Sequence, residues 1–217
     1  KITLRGHTLH INDVAFSSDG KMIASIADDF TIRVWNVETG VLINILDCGH
    51  PFGHCITFSP DNKCVIAIFG DGALSSWNVL TGEQVWLYDA NELFDTRHIS
   101  AASSITNSPD GNQLVISTTE GEIFLLDFVE ETTSSIELED SIMSVIYSPN
   151  GQYLLATTEK GFGLWDLIND ANIQKNVNDE IVDLIDNSQA VFSSDSKRMA
   201  FYAKTPVKSQ IIIWDIS

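Results

Sequence analysis

The sequence predicts an all-β fold built from repeated four-stranded sheets, and three observations lead to this prediction. A short phrase recurs five times: an aromatic or polar residue, then Ser-Pro or Ser-Ser, then Asp or Asn, then a turn residue. About two strand lengths after each phrase, an apolar run ends in Trp-Asp, Trp-Asn or a close variant. The repeat period of roughly 43 residues is typical of stacked supersecondary units. The phrases begin at Phe16, Phe58, Asn107, Tyr147 and Phe192, and the runs end at Trp35, Trp77, Leu126, Trp165 and Trp214.

The first repeat shows the expected elements most clearly. Ile11–Phe16 is a short apolar run, and Ser18-Asp19-Gly20 after it is a turn, since Asp accepts local backbone hydrogen bonds and Gly permits positive φ. Met22–Ala27 is almost continuously apolar, as in a strand that is buried on both faces. Thr31–Trp35 is rich in β-branched residues, and Val41–Leu46 follows a further Gly-containing turn, so four strands are predicted.

The later repeats follow the same order. In repeat two the expected strands are Cys55–Phe58, Cys64–Phe69, Ala73–Asn78 and Glu83–Leu87. In repeats three, four and five they are Ser103–Asn107, Gln113–Thr118, Ile123–Phe128 and Ser134–Leu138, then Ile142–Tyr147, Tyr153–Thr158, Gly163–Leu167 and Asn172–Val177, then Gln189–Phe192, Arg198–Ala203 and Gln210–Ile216. One helical turn is expected in an inserted loop at residues 91–98, where the repeat spacing lengthens.

We expect a single domain over residues 1–217. Small antiparallel sheets of four strands at this period are typical of the blades of a β-propeller. The five repeats are expected to form either part of a larger ring or a five-bladed ring; the start at Lys1 and the low fidelity of the repeats favour the first interpretation. The segment Lys1–Leu4 stands where a fourth strand would complete the last blade. The expected repeats are approximately 1–46, 47–88, 89–138, 139–177 and 178–217.

The charge balance restricts the kinds of partner. The chain has 30 acidic and 12 basic residues and a net charge of −18, whereas nucleic-acid binding needs clustered Lys and Arg. A protein or peptide that bears Lys or Arg fits this charge better, although acidic residues can also serve solubility alone. Hydrophobic residues make up 44% of the chain, as in an ordered globular protein. No apolar run approaches the roughly 20 residues of a membrane span, so no membrane partner is expected.

The three cysteines, Cys48, Cys55 and Cys64, bear on location and chemistry. An odd number in one short stretch is not a disulfide framework, which favours a reducing, cytoplasmic location. Cys48 and Cys55 flank His50 and His54, residue types that bind zinc, but the longer loop between ligand pairs is missing. No metal or cofactor is therefore expected. The sequence also lacks a phosphate-binding loop, a nucleophile elbow and a His-Glu-x-x-His motif, so no catalytic residue is predicted.

The first repeat resembles a WD repeat. Gly6-His7, the turn at Ser17–Gly20 and the strand at Asp29–Asn36 carry this resemblance, which extends in weaker form over the whole chain as five units. It implies a structural hydrogen-bond relay within the blade, because a buried indole N–H and a buried carboxylate both need partners. The relay residues that the resemblance implies are His7, Ser25, Asp29, Trp35, Asp71, Trp77, Trp165 and Trp214.

The later repeats depart from this pattern. In repeat two, Ala67 replaces the Ser and the His is displaced to His50. In repeat three, Glu120 and Leu126 stand at the Asp and Trp positions, so no relay is expected there. Repeats four and five keep only the tryptophan clearly.

The resemblance also implies where a partner docks, namely on the loops that join the outer strand of one blade to the inner strand of the next. Residues that enter the first strand of each repeat, and the residue before the turn Asp, are expected to project there. An aromatic residue, a Met and two His among acidic neighbours suit the recognition of a peptide. The expected partner-binding residues are His10, Asn12, Asp28, Phe52, His54, Ser141, Met143, Asp186 and Ser188.

Three functions remain open at this level. The first is a non-enzymatic protein–protein interaction scaffold, the docking or sensing part of a larger multidomain protein. The alternative is a small-ligand or sugar-binding, lectin-like propeller, which should show equivalent pockets with aromatic and polar residues between blades. The third is a fragment of an enzyme, which would need two carboxylates about 5 to 10 Å apart at a concave mouth.

Overall fold

The computed structural model describes residues 1–50, 52–94, 101–158, 161–168, 171–172, 190–204 and 209–216. These residues form five antiparallel sheets of consecutive strands and one short helix. Over the described residues, the first four sheets have four strands each and the fifth has three. The predicted all-β fold of four-stranded antiparallel sheets is confirmed. None of the helical structure in the described ranges is long and apolar enough to cross a bilayer.

Each sheet is called a blade, and its strands are numbered in chain order. Blade 1 contains β1 (Ile11–Phe16), β2 (Met22–Ala27), β3 (Thr31–Asn36) and β4 (Leu42–Asp47). Blade 2 contains β5 (Gly53–Phe58), β6 (Cys64–Phe69), β7 (Ala73–Asn78) and β8 (Gln84–Asp89). Blade 3 contains β9 (Ala102–Asn107), β10 (Gln113–Thr118), β11 (Glu122–Asp127) and β12 (Thr132–Glu137).

The last two blades are described in part. Blade 4 contains β13 (Ile142–Tyr147), β14 (Tyr153–Thr158), β15 (Phe162–Asp166) and β16 (Ala171–Asn172), and blade 5 contains β17 (Ala190–Phe192), β18 (Arg198–Lys204) and β19 (Ser209–Asp215). The strands therefore begin and end within one or two residues of the predicted positions, except that residues 173–177 of the predicted fourth strand of repeat four lie outside the described residues.

The helical turn predicted in the inserted loop begins one residue early, as α1 (Ala90–Leu93). Asp89 caps it, because its carboxylate accepts hydrogen bonds from the backbone N–H groups of Asn91 and Glu92. Ala90 is fully buried, so the turn is attached to the core of the blade. Residues 95–98 of the prediction lie outside the described residues.

The recurring sequence phrase forms the same turn in all five blades. In blade 1 the Ser17 hydroxyl donates to Asp19 Oδ1 at 2.7 Å and accepts from the Met22 N–H at 2.9 Å. The last turn residue has positive φ, for example +69° at Gly20, which explains the preference for Gly or Asn there. The equivalent serines are Ser59, Ser108, Ser148 and Ser193, which bond to Asp61, Asp110, Asn150 and Asp195.

Neighbouring blades pack face to face through apolar cores. Between blades 1 and 2 the core includes Val34 and Leu46 on one side and Phe69 and Trp77 on the other, all nearly inaccessible to solvent. Burying each such side chain contributes roughly 1.5–3 kcal/mol. Similar cores lie between blades 2 and 3, 3 and 4, and 4 and 5.

The first strands of blades 1 to 4 lie side by side, so β1, β5, β9 and β13 are the inner strands. Polar bonds join them as well. Asp13 Oδ2 accepts the Ile56 N–H at 2.9 Å, and Asn107 Nδ2 donates to the Phe58 carbonyl at 2.8 Å. Burial raises the pKa of Asp13, although the backbone N–H groups of Ile56 and Val14 oppose this. These bonds fix β1 against β5 and β5 against β9.

Candidate functional site

The antiparallel connections give each blade two different ends. The recurring Ser-Asp turns lie at one end, which we call the hairpin end. The turns between second and third strands, and the links from each blade to the next, lie at the other end, which we call the linker end. The candidate site is at the linker end, where the inner strands begin.

A β-bulge occurs at the start of the inner strand in each of the first four blades. In blade 1, Ile11 and Asp13 face consecutive residues of β2, which leaves Asn12 as the extra residue. The same displacement singles out His54 in blade 2, Ser103 in blade 3 and Met143 in blade 4. A bulge re-aims the side chain of the extra residue and bends the strand. Four equivalent positions thus carry four chemically different side chains.

These bulge positions include three of the predicted partner-binding residues, Asn12, His54 and Met143, and one residue that the prediction missed, Ser103. The missed residue had a usable signal: each bulge residue stands five positions before the serine of the recurring phrase, as Asn12 does before Ser17. Ser103 is half-buried and its hydroxyl lies 3.0 Å from that of Ser117.

Asn12 is the centre of a polar network that joins blades 1 and 2. Its Nδ2 donates to Asp28 Oδ1 at 2.7 Å and to the Gly53 carbonyl at 2.9 Å. Its Oδ1 lies 2.8 Å from His10 Nδ1, and since an amide oxygen only accepts, His10 Nδ1 is the donor. The structure therefore brings together His10, Asn12 and Asp28, as the prediction grouped them.

His54 belongs to the same region. Its imidazole is half-buried, and the backbone of Gly70 lies so close that a Cβ there would be 3.0 Å from His54 Nε2. Burial lowers the pKa of His54, and the nearby Asp28 carboxylate only partly opposes this. His54 is consequently a neutral donor and acceptor at neutral pH.

The remaining predicted residues are distributed along the linker end. Phe52 is 66% exposed. Ser141 and Met143 are half-buried at the entry to blade 4. Asp186 and Ser188 lie outside the described residues, so their role stays a prediction.

Basic residues are distributed unequally between the described loops of the two ends. In the described parts of the connecting loops at the linker end there is no Lys or Arg. The lysines of the described turns, Lys21, Lys63 and Lys197, are all at the hairpin end, where Lys21 and Lys63 pair with Asp19 and Asp61 at 3.6 and 3.3 Å. The described loops at the linker end are therefore acidic, and the carboxylates in them are those of Asp28, Asp29, Asp71, Glu92, Glu120, Glu139 and Asp140.

The implied relay is present in blade 1. His7 Nε2 lies 2.7 Å from Ser25 Oγ, and Ser25 Oγ accepts the indole N–H of Trp35 at 3.2 Å. His7 Nδ1 faces Asp29 Oδ2 at 3.0 Å, and Asp29 Oδ1 also accepts the Thr31 hydroxyl at 2.7 Å. Burial alone would raise the pKa of Asp29, but the hydrogen bonds it accepts, including those from Thr31 and His7, hold it well below the ordinary value. The carboxylate is thus ionised and structural.

The relay is weaker in the other blades. In blade 2, His50 contacts Asp71 although Ala67 removes the serine. In blade 3, where Leu126 replaces the indole, this residue is part of the apolar core. The tryptophans of blades 4 and 5 pack in the cores, and Trp214 meets the Phe162 ring edge-on at 5.9 Å.

The Cys48–Cys55 segment does not assemble a metal centre. Cys48 and Cys55 are both buried, and their thiols point to different carbonyls, those of Leu46 and Ala102. Burial raises the pKa of both thiols to about 12, so they behave as small apolar side chains. Within the described residues, no three His, Cys, Asp or Glu side chains are placed to share a metal ion.

Four-stranded blades joined by inner strands, with a His–Ser–Asp–Trp relay in the first blade, make this chain similar to WD-repeat proteins. In agreement, residues 1–36 match the family model described as "WD domain, G-beta repeat". The resemblance to WD-repeat β-propellers is thereby confirmed.

Individual relatives are similar over short stretches. Nucleoporin Nup37 of Drosophila melanogaster is 49% identical over 37 residues, and nuclear distribution protein PAC1-2 of Uncinocarpus reesii is 51% identical over 36 residues, each covering 17% of this chain. Small ribosomal subunit protein RACK1z of Arabidopsis thaliana is 34% identical over 71 residues, or 32% of this chain. These stretches cover 12%, 8% and 22% of the respective relatives.

Proposed function

We propose that this chain is a non-enzymatic docking module that binds a basic segment of a partner protein at the linker end of its blades. The proposal rests on one observation above all: four equivalent bulges present Asn12, His54, Ser103 and Met143 in one register on rigid inner strands. Equivalent positions with different side chains suit the reading of successive residues of a peptide, since rigid presentation limits the entropy lost on binding. Membership of a larger multidomain protein inside the cell is part of the same proposal.

The acidic character of the linker end supports a basic partner. Asp28 is held by Asn12 beside the bulge of blade 1, and no Lys or Arg stands in the described parts of the connecting loops around it. A cationic segment would approach this end faster and with less repulsion than an acidic one.

Two matched peptide libraries test the proposal. They have the same design, except that one has a fixed central arginine and the other a fixed citrulline, which has nearly the same shape but no charge. We expect the protein to select binders from the arginine library only. Selection of citrulline peptides to the same extent would contradict a charge-directed site.

Charge variants then locate the binding site. Asp28→Lys, and likewise Asp186→Lys, should weaken the best arginine peptide at least about tenfold in fluorescence anisotropy without lowering the melting temperature. Asp28→Asn keeps an acceptor for Asn12, and it separates the charge from the hydrogen bond. Glu38→Lys, in the exposed turn between β3 and β4 at the hairpin end, is the control that should bind normally. A loss of folding in step with the loss of binding would refute the assignment.

A second candidate function has one observation in its favour. Cavities of about 380 and 670 Å³ lie at the hairpin end between blades 2 and 3 and between blades 3 and 4, respectively. The first is lined by Trp86 and Phe128 together with Asp61, as a sugar-binding pocket would be, whereas the second has Asp127 and Glu130 but no aromatic residue. This difference favours peptide docking. Quenching of tryptophan fluorescence by a panel of monosaccharides would instead support the sugar-binding alternative.

A further inference from the structure

Phe30 occupies a turn position that is glycine in the neighbouring blades. It stands between β2 and β3, and its carbonyl accepts the Cys48 N–H at 3.0 Å. In blade 2 the same bond runs from Ala90 N–H to the Gly72 carbonyl, and in blade 3 from Leu138 N–H to the Gly121 carbonyl. The φ angles are +62° at Phe30, +87° at Gly72 and +90° at Gly121. The turn therefore takes the left-handed region in blades 1 to 3, and among these three only blade 1 places a bulky side chain there.

Stability does not account for this choice. A residue with a Cβ in the left-handed region costs about 1 kcal/mol relative to its ordinary conformation, and glycine avoids that cost. The Phe30 ring remains 49% exposed, so it recovers only part of its burial energy from the fold. A strained, exposed aromatic residue with a glycine alternative in sister repeats points to a role outside folding.

Phe52 repeats the same combination nearby. Its φ is +54°, its side chain is 66% exposed, and its carbonyl accepts the Gly70 N–H at 2.8 Å. The other non-glycine residues with positive φ in the described chain are polar, namely Asn62, Glu131 and Ser196. Both apolar exceptions are thus at the linker end: Phe30 bonds to Cys48 at the start of the link between blades 1 and 2, and Phe52 stands at the end of that link.

Carboxylates stand in the turns that neighbour both aromatic residues. Asp28 stands two residues before Phe30 in its turn, and Asp71 follows Gly70, whose N–H bonds the Phe52 carbonyl. Asp71 also contacts His50 in the link. The His50 ring in turn packs on Phe69 with centroids 5.3 Å apart, which fixes the link against blade 2. Exposed aromatic faces beside carboxylates attract a cation and, at the same time, the apolar groups next to it.

We propose that Phe30 and Phe52 are partner-contacting residues, and that the basic segment bound at the linker end presents a Lys or Arg next to an apolar residue to these two rings. This inference rests on the proposed function and extends its surface outward from the bulge residues to the link between blades 1 and 2. It also explains why a strained backbone conformation is kept at Phe30, since the side chain there would contact the partner. The glycine that the neighbouring blades use would relieve the strain and remove the contact.

The test compares variants on the arginine peptide selected above. Phe30→Gly and Phe30→Asn both suit the left-handed region, and we expect each to bind the peptide about tenfold more weakly while melting at an equal or higher temperature. Phe52→Asn should weaken binding similarly. The matched control is Leu80→Asn, which removes a 78% exposed apolar side chain at the hairpin end and should leave affinity unchanged.

The outcomes separate this inference from the proposed function. If Asp28→Lys loses the peptide but Phe30→Gly binds it normally, the proposed function stands and this inference is wrong. A lower melting temperature of both Phe30 variants would also overturn it, because the ring would then serve the fold. If the wild-type protein selects no arginine peptide, both fail together. Weaker binding by a protein of undiminished stability is the result that supports the inference.

Discussion

The imidazole of His50 contacts the carboxylate of Asp71, with Nδ1 and Oδ2 2.8 Å apart, although His50 stands one residue nearer to its inner strand than His7 does. The contact is more open than that in blade 1: the Asp71 side chain is 40% exposed, whereas that of Asp29 is 7% exposed. The His–Asp pair therefore survives without the serine, but it no longer anchors an indole through that residue. The two blades offer a natural comparison of the complete and the reduced relay.

We expect the complete relay to contribute more to stability than the reduced one. Asp29→Asn weakens the contact to His7 and the acceptor for Thr31 in a buried setting, and should lower the free energy of unfolding by about 1–3 kcal/mol. Asp71→Asn, in a more solvated pair, should cost less than about 1 kcal/mol. Urea unfolding measures both. Equal losses of unfolding free energy in the two variants would show that burial of the carboxylate does not determine its contribution to stability.

The Asp29 contribution should also depend on pH. Because its folded pKa is held below the ordinary value, the stabilisation is fully present above the unfolded carboxyl pKa and is lost as the pH falls through the folded pKa. The difference in unfolding free energy between the wild type and Asp29→Asn should thus be largest near neutrality and shrink below about pH 4. Denaturation curves from pH 7 to pH 3 provide the measurement. A difference that grows on acidification would contradict the assignment.

Two glycines with positive φ should respond very differently to alanine. At Gly121, with φ +90°, a Cβ would clash with the Leu138 carbonyl oxygen and come within 3.1 Å of that of Asp140, so Gly121→Ala should cost about 2–4 kcal/mol. At Gly20, with φ +69°, nothing lies within 4 Å of an added Cβ, and the cost should be only about 1 kcal/mol. Melting curves decide between them, and similar losses would exclude the steric account.

The three cysteines should react with a thiol reagent at separate rates. Cys48 and Cys55 are buried with pKa values raised to about 12, whereas Cys64 is partly exposed. Native protein should therefore label first at Cys64, and the other two only on unfolding. Cys64→Ser is the control that should abolish the fast phase. Fast labelling of Cys48 or Cys55 in the native state would show that the packed cores between neighbouring blades open.

Much of the fold could be predicted because its signals are local. The strand limits and the recurring turn follow from residues within a few positions of each other, as in Ser17 and Asp19. The hydrogen bonds between neighbouring blades could not be predicted, since Asp13 meets Ile56 only after two blades have packed. The left-handed conformation of Phe30 is a local property, but it was missed because an aromatic residue is a poor signal for positive φ. Only the alignment of Phe30 with Gly72 reveals it.

The candidate site was predicted in part. Residues grouped by repeat register, such as His10, Asn12 and Asp28, do lie together. Ser103 was overlooked because a small polar residue in a strand has no individual signature. Its position became evident only through the bulge that it shares with Asn12.

The serine-centred turns carry a consequence for how the molecule forms. Each one fastens a hairpin through residues at most five apart, as between Ser59 and the Cys64 N–H. Closing such a short loop takes on the order of tens of nanoseconds, far less than the time needed to synthesise one residue. Hairpins can therefore assemble on the nascent chain as each repeat emerges. Contacts between blades, such as that between Ser18 and Asn62, can form only when the next repeat has been synthesised. The packing of blades on one another, and not hairpin closure, should therefore limit the overall folding rate.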